Sequence, residues 1–426
     1  MNASSDVSVL LDHLFRRQAG RMVAHLTRLL GPSQLDLAEE AVQDAMLRAL
    51  GTWPHQGVPE NPAAWLFRVA HNFAIDAIRR KQLLGDKTEA IVAELSRASS
   101  RAQDEAAIEE QIRDDELRMI FMCCHPEISR DASVALSLKT IGGFSVQEIA
   151  RAFFAPEVTT AQRIVRAKRQ IRERPLSLEL PSGTELVKRL DSVLEVLYLV
   201  FNEGYAAHQG EQLVRHDLCV EALRLGRLLA NSDVSQPRVH ALVALMAFQA
   251  ARFHERVDKS GDLILLEQQD RTRWDHALIA LAFHHFDQSI AGNEISEYHV
   301  QAAIAATHAR APNPEATDWS LILNLYDQLL DVKPSPVGSL NRVVAVSRVH
   351  GAETALHAMD ELGDDPSLRS YYLFLAVRAH LLSDLRRYTE AAACFRGALD
   401  CPCSEPERRF LKTKLAECER LIEPEL

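Results

Sequence analysis

Residues 145 to 174 read SVQEIARAFFAPEVTTAQRIVRAKRQIRER, and this stretch decides the fold. Ser145-Val146-Gln147-Glu148 has the form of a capping box: the Ser145 hydroxyl can accept from the amide three residues on, and the Glu148 carboxylate can reach back to the amide of residue 145. The box predicts a helix through Phe154, ended at Ala155-Pro156 because proline disfavours α conformation in the residue before it. Thr159-Thr160-Ala161-Gln162 has the pattern of a second box. The helix it opens carries Ile164, Ala167 and Ile171 on one stripe and Arg163, Arg166, Lys168, Arg169 and Arg172 around the rest. A capped helix, a tight turn and a capped basic helix make a helix-turn-helix. Such a unit lays its second helix in the major groove of DNA, where Thr160, Gln162 and Arg163 meet base edges and the later Arg and Lys residues neutralise phosphates.

The charge distribution around this unit supports the same reading. The 426 residues carry a net charge of −11. Residues 1 to 175 hold 23 basic and 23 acidic residues, so the remaining 25 and 36 place the whole imbalance beyond residue 175. Within the neutral part, Thr159 to Arg174 has six basic residues against one acidic, whereas Asp86 to Glu116 has ten acidic against four basic. A basic surface facing a polyanion beside an acidic, solvated tether accounts for that segregation. The longest nearly apolar run, Ala241 to Ala251, falls well short of the roughly 20 residues of a membrane span. The N-terminal residues lack a secretory pattern, and the seven cysteines have no framework spacing, so a reduced cytoplasm is the expected compartment.

Glycine and proline number only 17 each, and Ala, Leu, Arg and Glu recur at three- and four-residue spacing, which predicts an all-α chain. Leu263 to Leu266 is ambiguous between a strand and a helical turn. The expected organisation is a helical cluster over 1–82, an acidic flexible linker over 83–111, a helix-turn-helix domain over 112–175 and a large helical region over 176–426. Late in that region Ala379, Tyr388, Ala391, Phe395 and Ala398 sit at the spacings of a tetratricopeptide-type helical hairpin, with a fainter echo at Ala355, Met359 and Leu362.

The first cluster contains two informative helices. Asn61 is placed as an N-cap with Pro62 at the first helical position. The helix that follows is expected to bury Trp65, Val69, Phe73 and Ala77 and to expose Arg68, Asn72, Asp76 and Arg79, a polar stripe ending in Arg79-Arg80-Lys81 that suits nucleic acid. Before it, Asp36 to Leu50 forms an amphipathic helix with an acidic, amide-rich exposed face, and Gly51 to Pro62 marks a break.

These motifs, in this order, resemble the extracytoplasmic-function class of bacterial sigma factors: Asp36-x-Ala-Glu-Glu-x-Val-Gln-Asp-x-x-Leu-Arg, then Ala64-Trp-Leu-Phe-Arg-Val-Ala-His-Asn-x-x-x-Asp-x-x-Arg-Arg, then the helix-turn-helix. The resemblance spans roughly residues 8 to 175. Met122-Cys123-Cys124-His125-Pro126 and the long tail further resemble the subgroup with a C-terminal tetratricopeptide-like extension. The resemblance implies an RNA polymerase core partner, with Asp36, Glu40, Gln43, Asp44 and Leu47 gripping the clamp helices of the β′ subunit. It implies that the loop from Gly51 to Asn61 captures a flipped non-template base, and that Arg68, Asn72, Arg79 and Arg80 hold the downstream promoter element during melting. Thr159, Thr160, Gln162, Arg163, Arg166, Lys168 and Arg169 would read the upstream element. Val158 stands where the common pattern has Gly, and Ala161-Gln162 replaces the frequent Lys-Ser, departures that bear on base preference rather than fold.

No catalytic or nucleotide-binding motif is found: no Walker loop, no Gly-x-Gly-x-x-Gly, no His-Glu-x-x-His and no Gly-x-Ser-x-Gly. Neither enzyme activity nor a cofactor or metal is expected. Adjacent Cys123 and Cys124 lack the Cys-x-x-Cys spacing of structural zinc sites and read as core thiols, and Cys401-Pro402-Cys403 is equally weak. Phe201-Asn202-Glu203-Gly204-Tyr205, with His208, is the most site-like stretch of the tail; it can bind a small ligand or cap a helix, and the structural role is the simpler reading. The tail as a whole is expected to modulate activity or to bind a protein partner, either by screening the basic helix or by adding a polymerase contact. The alternative to a sigma factor is a one-component DNA-binding repressor or activator with a helical sensing domain, which leaves the two N-terminal motifs unexplained. A third option places an uncharacterised enzyme in the tail near Glu203 and His208.

Overall fold

The computed structural model describes residues 18–81, 105–153, 155–174, 178–205, 216–363, 365, 368 and 371–422. They are all-α, and no strand occurs among them; Val257 and Leu263 make one isolated antiparallel bridge, followed by a 3-10 turn at Leu266–Gln268. The chain divides into two compact units, Met1–Val196 and Leu197–Leu426. The division falls inside a continuous helix, Gly183–Tyr205, some 20 residues beyond the boundary expected at 175/176.

The N-terminal unit begins with helix α1 (18–30). A 3-10 turn at Pro32–Gln34 leads into α2 (Leu35–Gln56), and α3 (Pro62–Lys81) packs against α2. Next come α4 (Glu105–Cys123), α5 (Arg130–Thr140), α6 (Val146–Ala152) and α7 (Glu157–Glu173). The expected linker over 83–111 lies outside the described residues up to 104, and its last part belongs to α4. The break expected at Gly51 is absent. Trp53, 2% exposed, anchors one more turn of α2, and the helix stops only at Gly57, whose φ of +87° suits glycine and whose amide donates to the Trp53 carbonyl at 3.0 Å.

Helix α3 is rotated relative to the expectation. Its core stripe is Leu66, Ala70, Ala74, Ile75 and Ile78 with His71, all buried, while Trp65, Val69, Phe73 and Ala77 are only half-buried. Small Ala70 and Ala74 are fully buried on α3, as are Ala38, Ala41, Ala45 and Ala49 on α2, which packs against it. Trp65 instead stacks edge-on against Trp53, with ring centroids 5.4 Å apart.

Three contacts close the unit across long sequence separations. Asp115, 1% exposed on α4, takes His25 Nδ1 at 2.7 Å and Arg28 Nε at 2.8 Å from α1. Gly20 on α1 faces the end of α5 so closely that a Cβ there would lie 1.9 Å from the Ile141 carbonyl oxygen. Buried Arg189, early in α8 (Gly183–Tyr205), donates to the Phe121 carbonyl at 2.8 Å and pairs with Glu185 at 3.6 Å.

The C-terminal unit continues with α9 (His216–Ala230), α10 (Pro237–Ala250), α11 (His276–Ser289), α12 (Glu297–Arg310), α13 (Trp319–Val332), α14 (Pro336–His350), α15 (Ala352–Asp360), α16 (Tyr372–Asp384), α17 (Tyr388–Leu399) and α18 (Glu405–Ile422). Local chemistry sets their starts: the side chains of Asp275, Asp318 and Ser335 accept from the amides of Leu278, Leu321 and Gly338 at 2.9, 2.9 and 3.0 Å. Consecutive helices from α13 onward pack pairwise, and Ala355, Met359, Ala379, Ala391, Phe395 and Ala398 all lie in the core between them.

Burial also sets the acid sensitivity of the fold. Burial lowers the pKa of His71 to about 4, helped by the charge of His25, and that of His285 to about 4, helped by His240. His308 falls to about 3 through burial and the nearby Arg252 and Arg271. From pH 6.5 downward the unfolded chain takes up protons that these folded imidazoles refuse, so stability falls with pH, levelling off below about 4 for His71 and His285 and below about 3 for His308. Each group should contribute up to about 2 kcal/mol of the loss at pH 5. Urea titrations at pH 7 and pH 5 will show a lower midpoint at pH 5; an unchanged midpoint contradicts the burial of neutral imidazoles.

Candidate nucleic-acid interface

The helix-turn-helix forms, with one change at its second cap. Ser145 and Glu148 make the full reciprocal box: the Glu148 amide donates to Ser145 Oγ at 3.1 Å and the Ser145 amide to Glu148 Oε2 at 2.8 Å. Helix α6 ends at Ala152, with Phe153 as its C-cap rather than Phe154 inside it. The box expected at Thr159 is not formed. Helix α7 starts two residues earlier, at Glu157, with Pro156 in the N-cap position and no side-chain cap. The fixed φ of Pro156 organises the start, and Glu157 places an anion in the first turn where the helix dipole favours it. Thr160 consequently sits inside the helix, 2% exposed, on the buried stripe with Ile164, Ala167 and Ile171.

The surface of α7 divides into engaged and open residues. Gln162 and Arg166 are exposed and make no polar contact among the described residues, and Thr159 is half-buried. Arg163 Nη2 pairs with Asp131 at 2.8 Å, Arg169 pairs with Glu173 at 3.8 Å, and Arg174 pairs with Glu127. An open groove of about 630 Å³ runs between the start of α5 and this face, lined by Arg130, Asp131, Arg163, Arg166 and Arg169.

Lys168 behaves differently. It projects from α7 onto α2, where its Nζ lies 2.7 Å from Glu39 Oε2 and 3.0 Å from Asp36 Oδ1. Its side chain and that of Glu39 are only 16% and 13% exposed. Burial lowers the Lys168 pKa, but the two carboxylates more than offset this and hold it above the ordinary lysine value. Arg172 adds a contact to Asp36 at 3.6 Å, Thr140 on α5 donates to Glu39 Oε1 at 3.3 Å, and α7 also packs on the Pro32–Gln34 turn. The structure therefore joins Asp36, expected on a polymerase face, to Lys168, expected on a DNA face. Glu39 was absent from the sequence-based site because a single sequence gives no sign of a pairing 129 residues away.

Of the other residues expected to contact polymerase, Glu40, Gln43 and Leu47 are exposed, Leu47 by 66%, and Asp44 pairs with Arg48 one turn on at 2.6 Å. Leu50, 45% exposed, extends this face with a second apolar side chain. On α3, Asn61 Oδ1 accepts from the Ala64 amide at 2.9 Å, confirming the N-cap, and Arg68, Asn72 and Arg79 are exposed. The Arg80 side chain lies outside the described residues. The segment expected to capture a flipped base is mostly helix, leaving 57–61 as loop. The sequence reading missed the half-exposed Trp65, Val69 and Phe73 stripe beside these polar groups. Its signal was present in the pattern, since the alternative stripe through Ala70 and Ala74 fits a closely packed helix pair better than one carrying two large rings.

Cys123 and Cys124 are buried core thiols. Burial pushes Cys124 up to about 12 and Cys123 well above its ordinary value, and Cys124 Sγ contacts Ser137 Oγ at 3.6 Å. All seven cysteines are free, and among the described residues no cluster of His, Cys, Asp and Glu could hold a metal ion. No helix of the described residues is long and apolar enough to cross a membrane. His208 lies outside the described residues.

Residues 14–83, which span helices α1 to α3, match the family Sigma-70 region 2. Residues 189–290 match a family of unknown function, DUF6596. The chain is 40% identical over 382 residues to the uncharacterized protein R00370 of Rhizobium meliloti (strain 1021), covering 89% of this chain and 90% of that protein, and it belongs to the same family. No solved structure matches.

The Lys168 bridge has a measurable energy. A double-mutant cycle with Lys168→Ala and Glu39→Ala, followed by chemical denaturation, should give a coupling of about 1–2 kcal/mol, above the median for exposed pairs because both groups are largely buried. Coupling below about 0.3 kcal/mol contradicts the contact.

Proposed function

We propose that the protein is a sigma factor of the extracytoplasmic-function type, which directs core RNA polymerase to promoters in the cytoplasm and starts transcription there without catalysing a covalent step. The observation that carries this reading is the sigma-70 region 2 match over residues 14–83 together with the open face of α2. Leu47 and Leu50 are large apolar side chains left in solvent among Glu40, Gln43 and Asp44, a mixed surface suited to a protein partner such as the β′ clamp helices. On α3, Arg68, Asn72 and Arg79 supply phosphate and base contacts, and the half-exposed Trp65 and Phe73 rings offer stacking planes for unpaired bases. Base–aromatic stacking is worth about 1–3 kcal/mol per base, comparable to the cost of flipping one out of the duplex. Helix α7 reads the upstream element through Gln162, Arg163 and Arg166, with Thr159 beside them; Thr160 acts from the core by holding the helix in place.

In this account the free subunit is closed. Asp36 and Glu39 occupy Lys168 and Arg172, so the α2 face and the α7 helix each lack part of the surface their partners need. Core polymerase competes for α2, and its docking releases α7 to DNA. Charge thus screens the basic helix, and the screening carboxylates belong to α2. The fused region acts positively, as an assembly element. The first turns of α8 belong to the N-terminal unit, with Leu190, Val193 and Leu194 buried and Arg189 tied to Phe121. A chain ended after residue 175 would lose these contacts as well as the tetratricopeptide-like hairpins of α16 and α17.

Run-off transcription with purified core enzyme, on the promoter upstream of this protein's own gene, tests the reading. The full chain should yield a discrete transcript. Leu47→Asp or Glu40→Lys should reduce it by at least about tenfold through lost core binding, since burying an unpaired or misplaced charge at an interface costs more than about 1.4 kcal/mol. No transcript and no co-purification with core enzyme would leave only a DNA-binding repressor.

A further inference from the structure

A second cluster, inside the C-terminal unit, has no role in the reading above. It gathers at the end of α8, where Tyr205 is ringed by Phe201, stacked at 5.9 Å, and Phe253 at 6.0 Å. Two guanidinium groups close on Tyr205 from the segment after α10. The Arg256 Cζ lies 3.9 Å from the centre of its ring and the Arg252 Cζ 5.9 Å from it. Arg252 donates to the Tyr205 hydroxyl and Arg256 to the Tyr205 main-chain oxygen. Trp274 lies beyond, 5.8 Å from the Arg252 Cζ and 5.4 Å from that of Arg271.

Arg271, 8% exposed, is a fixed wall of this cluster. Its two terminal nitrogens donate to the carbonyls of His308 and Ala311, each at 2.8 Å, and to Thr317 Oγ1 at 2.9 Å. All three arginines therefore have neutral acceptors or aromatic faces. Among the described residues none of them makes an ion pair with a carboxylate. The buried carboxylate next in sequence, Glu255, is turned to Arg273 at 3.0 Å, and Glu315 and Glu407 act on Arg271 and Arg256 only from beyond ion-pair range.

The neighbours register this excess of positive charge. Burial alone would push the Tyr205 phenol up, yet the pull of Arg252 and Arg256 brings it below its ordinary value. His308 is driven down by burial and then by Arg252 and Arg271. Guanidinium groups taken out of bulk water normally meet a carboxylate, because unbalanced charge in a low-dielectric site is costly. Their planar, multi-pronged donors match the tetrahedral oxygens of phosphate, which can accept from two of them at once. Arg252, Arg256 and Tyr205 each keep part of their surface in solvent.

We propose that Tyr205, Arg252 and Arg256, backed by Arg271, form a binding site for a small phosphate-bearing anion. Arg252 and Arg256 grip the phosphate oxygens, the Tyr205 hydroxyl donates a third hydrogen bond, and Arg271 contributes charge without moving. The stretch Phe201-Asn202-Glu203-Gly204-Tyr205 then serves as one wall of the site, with Tyr205 as its ligand-facing residue. Binding itself is independent of the sigma-factor reading; only its consequence for transcription rests on that reading.

Thermal unfolding of the full chain at constant ionic strength provides the test, with inorganic phosphate, a ribonucleoside 5′-monophosphate and succinate as separate additions. A ligand that binds only the folded state raises the unfolding temperature in proportion to the logarithm of its concentration above the dissociation constant. The unaltered chain should gain several degrees with phosphate or the monophosphate and little with succinate; a larger gain with the monophosphate identifies an ester rather than free phosphate as the preferred source. Arg252→Gln and Arg256→Gln should each weaken the response by roughly tenfold or more in ligand concentration, and should leave the ligand-free unfolding temperature unchanged or higher, because each removes an unbalanced charge. Arg396→Gln, at the exposed pair with Glu419, should respond as the unaltered chain does. Arg256→Lys keeps the charge but loses the fork: a folded variant with a weakened response supports the site, and an undiminished response overturns it. The proposal also falls if neither phosphate compound stabilises the unaltered chain, or if succinate does so equally. It falls as well if the Gln variants retain the full response.

Discussion

One lysine ties helix α7 to helix α2 within the N-terminal unit. Lys168 leaves a helix otherwise suited to DNA and inserts between Asp36 and Glu39 of the helix suited to a protein partner, at 3.0 and 2.7 Å. A largely buried cation with two carboxylates is stable as a set, and removing either side leaves charge without compensation. Arg172 and Thr140 reinforce the same two acids. The close approach of Gly20 to Ile141 fixes the distance over which the bridge operates. Helices α1 and α2 are thereby tied to α5 and α7.

This constraint explains why so basic a helix is not an open basic surface. Of its cations, Lys168, Arg172, Arg163, Arg169 and Arg174 all have acidic partners, and Arg166 remains uncommitted. Most of these pairs are exposed and weak, so DNA phosphates at high local density can replace them. The Lys168–Glu39 pair is the one that resists exchange, since both its side chains are largely withdrawn from water. In the proposed function, binding of a protein to the α2 face and binding of DNA to α7 would be coupled through a single set of charges, a physical basis for a subunit that engages DNA only when docked.

The sequence disclosed what is local. The Ser145–Glu148 box and the Asn61 cap were legible because side chain and backbone partner lie three residues apart, and the alternation of Ile164, Ala167 and Ile171 with arginines fixed the buried side of α7. The exposed face of α2 was readable for the same reason. Misreadings arose where two local signals compete. Thr159 offered a cap, but Pro156 three residues earlier had already set the start of the helix, which carries Thr160 into the core. On α3 the large aromatic residues suggested the buried stripe, whereas close packing against the alanines of α2 selects Leu66, Ala70 and Ala74. Gly51 and Pro54 suggested a loop that burial of Trp53 overrides. Nothing local pointed to Glu39 with Lys168, or to the arginines around Tyr205, because those groups meet only after the chain has folded over 129 and about 50 residues.

In the proposed function the α2 and α7 surfaces are closed on each other in the free protein and part when polymerase binds. Resonance energy transfer between fluorophores placed at exposed Ser33 and Val165, measured with and without core polymerase, tests it most directly. Transfer should be efficient in the free chain and lost on adding the core enzyme. Weak transfer in the free chain, or efficient transfer that persists in the complex, would contradict it.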